Sequence, residues 1–278
     1  MNGKAVVGFF APDYNACPDP TASDCQTIDW DAVAQYTPAD LAFVFENKGG
    51  TTHAHTGGAF GWLSTGAYPT GNTNYGISYL NDFNSSTASY ASTQVIIGSA
   101  FKGFDDGVTN GWTYSTTANH TRYIDQRCGQ TWLDTFATDS SAWNVVGKPN
   151  LPLLQVATWD DYEEATEIET GIDGCLQSIS LTVTGTQLSW SPSFGTSYTD
   201  SSIHGSENTV AKYRVYASTD FTQFSLVATL PRANGALPHT FDFASLGLAA
   251  GSYSVAVEAV GQPSIRNAIS QIASVNVP

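Results

Sequence analysis

Charge is scarce in this sequence: 13% of its 278 residues are charged, and only 10 of these are Lys or Arg against 25 Asp or Glu. The net charge of -15 leaves little with which to neutralise phosphates, which argues against a nucleic-acid partner. It equally disfavours docking on an anionic membrane surface. Neutral or cationic partners remain, and a neutral polysaccharide or oligosaccharide fits. Apolar runs are also short. None reaches about 18 residues, so no membrane-spanning helix is expected. There is no G-x-S-x-G elbow, no Walker loop and no G-x-G-x-x-G after a strand, so serine hydrolases and nucleotide enzymes have no motif support. No cofactor is implied.

A leader-like segment is lacking too, since Met1-Asn2-Gly3-Lys4 runs directly into a strand-like stretch. That fits either a mature chain with a new start or a cytosolic one. The abundance of Ser, Thr, Asn and Gly, the scarcity of Lys and an even count of 4 cysteines favour a secreted protein. Cys17 and Cys25 bracket the turn-rich "PDPTASD" and are placed to close a small disulfide ring, which leaves Cys128 and Cys175 as the other pair. No cysteine pair has C-x-x-C spacing and no His stands in zinc-finger register, so metal is the weaker reading. His53 and His55 have H-x-H spacing, but a Gly-rich loop without a third ligand makes a poor metal cage.

What is present is 41% apolar residues, enough for a real core, arranged in two textures. In residues 1–176, "AVVGFF" (5–10), "LAFVFE" (41–46), "QVIIGSAF" (94–101) and "LPLLQVATW" (151–159) are continuously apolar, as strands buried on both faces of a parallel sheet would be. Between them, "DWDAVAQYTP" has an Asp at its start and a Pro at its end, and "TRYIDQRCGQTWLDTFA" puts Ile124, Cys128, Trp132 and Phe136 roughly on one helical face. Alternating strands and helices predict an α/β region. In residues 177–278, "ISLTVTGTQLSWSPS", "KYRVYAST", "FSLVATL", "HTFDFASL" and "YSVAVEAVG" are short and mostly alternating, which predicts an all-β sandwich. With Trp190, Tyr213, Tyr216 and Tyr253 placed as they are, this part resembles fibronectin type III domains, and Tyr253 sits where those domains carry a corner tyrosine. The resemblance implies a fold more than a function.

Directly behind the last apolar run, six of the ten residues 160–169 are carboxylates: Asp160, Asp161, Glu163, Glu164, Glu167 and Glu169. Three readings of the residues are open. They can be a catalytic carboxyl pair at the C-terminal end of a parallel strand, where burial and mutual repulsion set two pKa values apart. They can be a helix start, whose N–H groups attract acids. They can be a calcium site.

The stretch "TWDDYEEATEIE" resembles the T-W-N-D-Y-G-E and F-N-E-W-x-E-G-T-x-I-E motifs of glycoside hydrolase families 71 and 99. "GSAFKGFDD" (98–106) resembles a strand of those families ending in a G-Y/F-D-D turn, and "QRCGQTWLDTF" resembles the helix between the two, so the similarity covers about residues 40–170. The resemblance implies a (β/α)8 barrel that cleaves α-glucan or α-mannan with Asp161 and Glu164 as its catalytic pair. It implies Trp159 and Tyr162 as flanking aromatics and brings Asp105 and Asp106 near the site. Asp160 stands where the families have Asn, and Ala165 where they have Gly. Glu46 and Asn47, at the exit of "LAFVFEN", are further substrate-binding candidates, as are Trp62 and Trp112 for stacking on sugar rings.

A complete barrel of this type takes about 250 residues, and the N-terminal region has about 176. A short or incomplete barrel is therefore expected, with an open sheet edge covered by the sandwich or by a second copy in a homodimer. The sequence thus predicts a secreted glycoside hydrolase-like protein. The alternatives are a non-catalytic carbohydrate-binding or cell-surface module that keeps the barrel scaffold, and a hydrolase of another linkage using the same acidic cleft.

Overall fold

A computed structural model describes residues 4–10, 28–67, 74–107, 122–145, 153–198 and 200–278. By their contacts these form two compact units: one of residues up to 124 together with 134–158, the other of 125–133 together with 159–278. Residues 125–133 and 159–176, read from the sequence as part of the barrel, thus pack with the C-terminal strands.

The first unit follows the order β1 (Ala5–Phe9), α1 (Trp30–Gln35), β2 (Leu41–Glu46), β3 (Thr56–Phe60), β4 (Gly66–Ala67), α2 (Ile77–Thr87), β5 (Val95–Ala100), β6 (Phe104–Asp105), β7 (Arg122–Ile124), α3 (Gln130–Val145, whose first turn is grouped with the second unit) and β8 (Leu153–Val156). Strands β1, β2, β3, β5 and β8 form one sheet in that order, with every neighbour parallel. The sheet curls as a half-barrel and does not close among the described residues. Strand β2 buries Phe43, Val44 and Phe45 in succession, as a strand covered on both faces must. A smaller antiparallel sheet, β4-β7-β6, stands beside it in the chain.

Local chemistry accounts for the element ends. Asp29 caps α1 by accepting from the Ala32 N–H at 3.0 Å. Strand β3, unforeseen because "TGGAF" has two glycines and little apolar bulk, exists because of one of them. A Cβ at Gly58 would lie 1.8 Å from the Val95 carbonyl oxygen of β5, so only glycine lets the two strands approach. Helix α2 was hidden for a different reason: its buried face, Leu80, Phe83, Asn84 and Thr87, is half polar. The helix expected over "TRYIDQRCGQTWLDTFA" is displaced along the chain and runs on to Val145. Arg122–Ile124 pairs as β7, and Cys128 at φ 52° and Gly129 at φ 85° interrupt the chain, so α3 starts at Gln130. Ile124 packs with Leu80, Phe101, Phe104 and Ala157, while Phe136 is exposed.

The second unit contains β9 (Leu176–Thr184), β10 (Gln187–Phe194), β11 (Val210–Ser218), β12 (Ser225–Pro231), β13 (Thr240–Asp242), β14 (Gly251–Gly261), β15 (Ala268–Ile269) and β16 (Ala273–Val277). One sheet is β13-β10-β9, and the other is β12-β11-β14 with β15 and β16 both on the far side of β14. All pairings are antiparallel. Inward residues of both sheets share one core that includes Ile179, Leu188, Trp190, Tyr213, Val215 and Val257. The Trp190 ring meets Tyr213 edge-on at 5.3 Å. The Tyr253 hydroxyl, near the start of β14, donates to the Ala249 carbonyl at 3.0 Å.

Cys128 and Cys175 form a disulfide that joins two segments of this unit across 47 positions. The same segments are tied to the β14–β15 connection. Trp132 donates through Nε1 to the Pro263 carbonyl at 2.9 Å, and Ile172 exchanges backbone bonds with Ser264 and Arg266. Cys17, Cys25 and Trp112 lie outside the described residues.

Candidate functional site

The residues singled out from the sequence fall into two groups, one in each unit. In the first, Glu46 ends β2 and Asn47 follows at φ 65°, a conformation uncommon for a residue with a side chain. Its N–H donates to the Phe60 carbonyl at 2.8 Å. Its Oδ1 accepts from the Tyr79 hydroxyl at 2.6 Å, and that hydroxyl accepts in turn from the Trp62 N–H at 2.9 Å. Tyr79, on α2, thus ties Asn47 to the Trp62 backbone at the C-terminal ends of β2 and β3. Burial, opposed by the Trp62 bond and reinforced by the charge of Glu46, pushes the Tyr79 pKa to about 12, so it stays a neutral donor. Trp62 is half-buried between two apolar clusters, one with Leu80 and Phe101 and the other with Val44 and Phe60. Gln155 of β8 adds a bond from Nε2 to the Gly61 carbonyl.

Asp105 and Asp106 lie on and after β6, and both are buried. Asp106 accepts from the Arg122 N–H at 3.1 Å and from Arg122 Nε at 3.0 Å, while Asp105 accepts from the Gly107 N–H at 2.9 Å. Asp106 thereby ties the end of β6 to Arg122 at the start of β7.

The second group is the acidic segment itself. It contains no helix, which overturns the helix-start reading. The chain instead makes a sequence of turns. Asp161 Oδ1 accepts from the Glu164 N–H at 3.0 Å, and the Asp161 carbonyl accepts from the Thr166 N–H at 3.1 Å. Ala165 then takes φ 50°, which ends any helical run, and the Ile168 and Glu169 N–H groups return to the Trp159 carbonyl at 2.9 and 3.0 Å. Ala165 stands where the resemblance expects glycine, the residue that takes this conformation without cost. Asp161 and Glu164 are half-buried at the two ends of one turn, while Asp160 and Glu163 are exposed.

Two aromatics share this loop, and neither belongs to the core: Trp159 is 62% exposed and Tyr162 49%. The Tyr162 hydroxyl donates to Glu169 Oε1, and that bond, with the charges of Glu169, Glu167 and Asp160, holds its pKa up at about 12. Beside the loop runs an open groove of about 580 Å³ lined by Trp159, Ile168, Glu169, Thr170, Arg266 and Asn267.

Among the described residues no cluster of three or more His, Cys, Asp or Glu side chains is arranged to hold a metal ion. The His53 ring stacks on Phe45 at 3.8 Å, and His55 Nε2 lies 2.5 Å from Asp31 Oδ1. Tyr79, Arg266 and Asn267 went unnoticed in the sequence. Only the aromatic character of Tyr79 hinted at a role, and its partner Asn47 is 32 positions away.

Comparison with known families, with curated proteins and with solved structures finds no match for this chain.

Proposed function

We propose that this chain is a secreted glycoside hydrolase-like protein acting on an α-linked polysaccharide, with Asp161 and Glu164 as its carboxyl pair and Trp159 and Tyr162 gripping the sugar. The N-terminal unit then belongs to an incomplete (β/α) barrel of the family 71 and 99 type, the acidic loop that follows β8 is grouped with the C-terminal unit, and the strands from β9 onward are of the fibronectin type III type. One observation carries the reading: two half-buried carboxylates stand at the ends of one turn in a loop that also carries two exposed aromatics. Glycosidic cleavage needs two such carboxyls, one to protonate the leaving oxygen and one to act as nucleophile or to activate water. An exposed indole offers the flat apolar face on which a pyranose ring stacks. Glu46, Asn47 and Trp62, near Tyr79, are the further sugar-facing group of the N-terminal unit.

The test is reducing-end release from a panel of α-glucans and α-mannans by the wild type, Asp161→Asn and Glu164→Gln. Glu164→Gln keeps the shape and removes the proton carrier, so it should lose about two or more orders of magnitude in rate. Hydrolysis at the wild-type rate by both variants would end the catalytic reading.

A second reading, a non-catalytic carbohydrate-binding module, is favoured by one detail. The Asp161 carboxylate closes its own turn on the Glu164 N–H, a structural task that needs no chemistry. In that case both variants would still bind polysaccharide and the wild type would cleave nothing.

A further inference from the structure

We propose that the groove beside the acidic loop is a binding subsite for a neutral pyranose unit of an oligosaccharide, with Trp159 as its stacking platform and Glu169, Arg266 and Asn267 as its hydrogen-bonding rim. The inference rests on the carbohydrate reading above and adds a place and a ligand charge to it.

The polar groups of the rim are held before any ligand arrives. Arg266 donates from Nε to the Thr170 carbonyl at 3.0 Å and from Nη2 to Thr170 Oγ1 at 3.2 Å, which fixes the plane of its guanidinium. Asn267 accepts from the Gly261 N–H at 2.9 Å through Oδ1 and donates to Glu258 Oε1 at 2.9 Å through Nδ2. Glu169 accepts from the Tyr162 hydroxyl. The groove wall is also anchored, because Ile168 and Ile265 are buried and the Ser264 carbonyl accepts from the neighbouring Ile172 N–H at 2.7 Å. A rim set in this way loses little freedom on binding, which is the main cost a weak sugar ligand must overcome.

The ligand class follows from charge and shape. A face that combines an exposed indole with one carboxylate, one guanidinium and one amide presents donors and acceptors together, as paired sugar hydroxyls require. Arg266 and Glu169 offset each other, and the chain as a whole carries -15. A polyanionic chain of uronic acids or sulfated sugars would meet net repulsion. An open groove of about 580 Å³ admits a chain passing along it rather than a buried small molecule.

The experiment is calorimetric titration of the full chain with three probes: a hexamer of α-linked glucose, a hexamer of α-linked mannose and a hexamer of uronic acid. Each is run on the wild type, Trp159→Ala, Arg266→Ala and the double variant Asp161→Asn/Glu164→Gln. Trp159 is exposed, so its variant retains the fold and guards against mere unfolding of the Arg266 variant. Binding of a neutral hexamer that weakens about tenfold or more in both groove variants, the size of one lost stacking or charged hydrogen-bond contact, supports the subsite. Retention of that binding by the double carboxyl variant separates the groove from the catalytic pair, including when the wild type cleaves nothing. Equal affinity of wild type and groove variants, a preference for the uronate, or no binding of either neutral hexamer at millimolar concentration would overturn the inference.

Discussion

Strand β2 buries Phe43, Val44 and Phe45 one after another, whereas β9 buries Ile179 and Leu181 and turns Ser178, Ser180 and Thr182 to solvent. Strand β2 needs cover on both faces, while β9 needs a partner sheet on one. The second unit supplies that partner within its own chain, and its inward residues merge into one large core. The parallel unit instead divides its buried apolar residues among smaller clusters, including Leu80 with Phe101, Ala59 with Phe83, and Val44 with Phe60. Polar ties connect the pieces: Asp139 of α3 accepts from Asn84 of α2 at 2.7 Å and from the Ser99 N–H of β5 at 2.5 Å. The antiparallel unit should therefore respond to changes in covalent and apolar packing, and the parallel unit to changes in buried polar groups.

The largest effect should come from the antiparallel unit. Replacing Cys128 and Cys175 by Ser opens a loop of 47 positions. On the loop-closure scale this should lower stability by about 4 kcal/mol. Chemical denaturation with and without reductant measures it, and an unchanged midpoint would mean that the sheets and the Trp132–Pro263 tie hold these segments unaided.

The parallel unit should show its character as a pH dependence. Burial, only partly offset by the bonds from Asn84 and Ser99, raises the Asp139 pKa from 3.8 to about 6. The folded chain holds this proton more tightly than the unfolded chain. Its contribution is therefore greatest below about pH 4 and declines as pH rises through about 6, a change of about 3 kcal/mol. Asp139→Asn should flatten stability across that window. A pH profile shared by wild type and variant would remove Asp139 from the account. A Cβ on Gly98 would fall 2.3 Å from Asp139 Oδ2, so Gly98→Ala should damage the same junction.

A smaller loss should follow Tyr79→Phe, which leaves Asn47 Oδ1 and the Trp62 N–H without this partner, at a cost of about 2 kcal/mol. Thermal unfolding reads the stability, and a change in oligosaccharide affinity at unchanged stability would show instead that the hydroxyl faces ligand. The smallest effect has the opposite sign. Ala165→Gly relieves a left-handed residue in the acidic loop and should gain about 1 kcal/mol. A loss would show that the chain avoids this conformation in solution.

The legible part of the fold was the part written in local pattern. Continuous apolar runs marked β1, β2, β5 and β8, alternation marked the antiparallel strands, and Asp29 announced α1. What escaped depended on partners distant in the chain. Strand β3 rests on the close approach of Gly58 to Val95, and α2 on a buried face completed by Asn84 and its bond to Asp139, 55 positions on. The acidic segment stood out by charge alone, but its turns depend on Ala165 and on bonds back to Trp159. Its groove depends on Arg266, 96 positions beyond Thr170. Charge density drew attention to the loop and could not show what stands across from it.

The most direct test is to incubate the purified chain with α-linked glucans and mannans and follow both new reducing ends and retention on the insoluble polymers. The account predicts release from at least one α-linked polymer, reduced about a hundredfold or more in Glu164→Gln while retention persists. Neither release from nor retention on any of these polymers would contradict it.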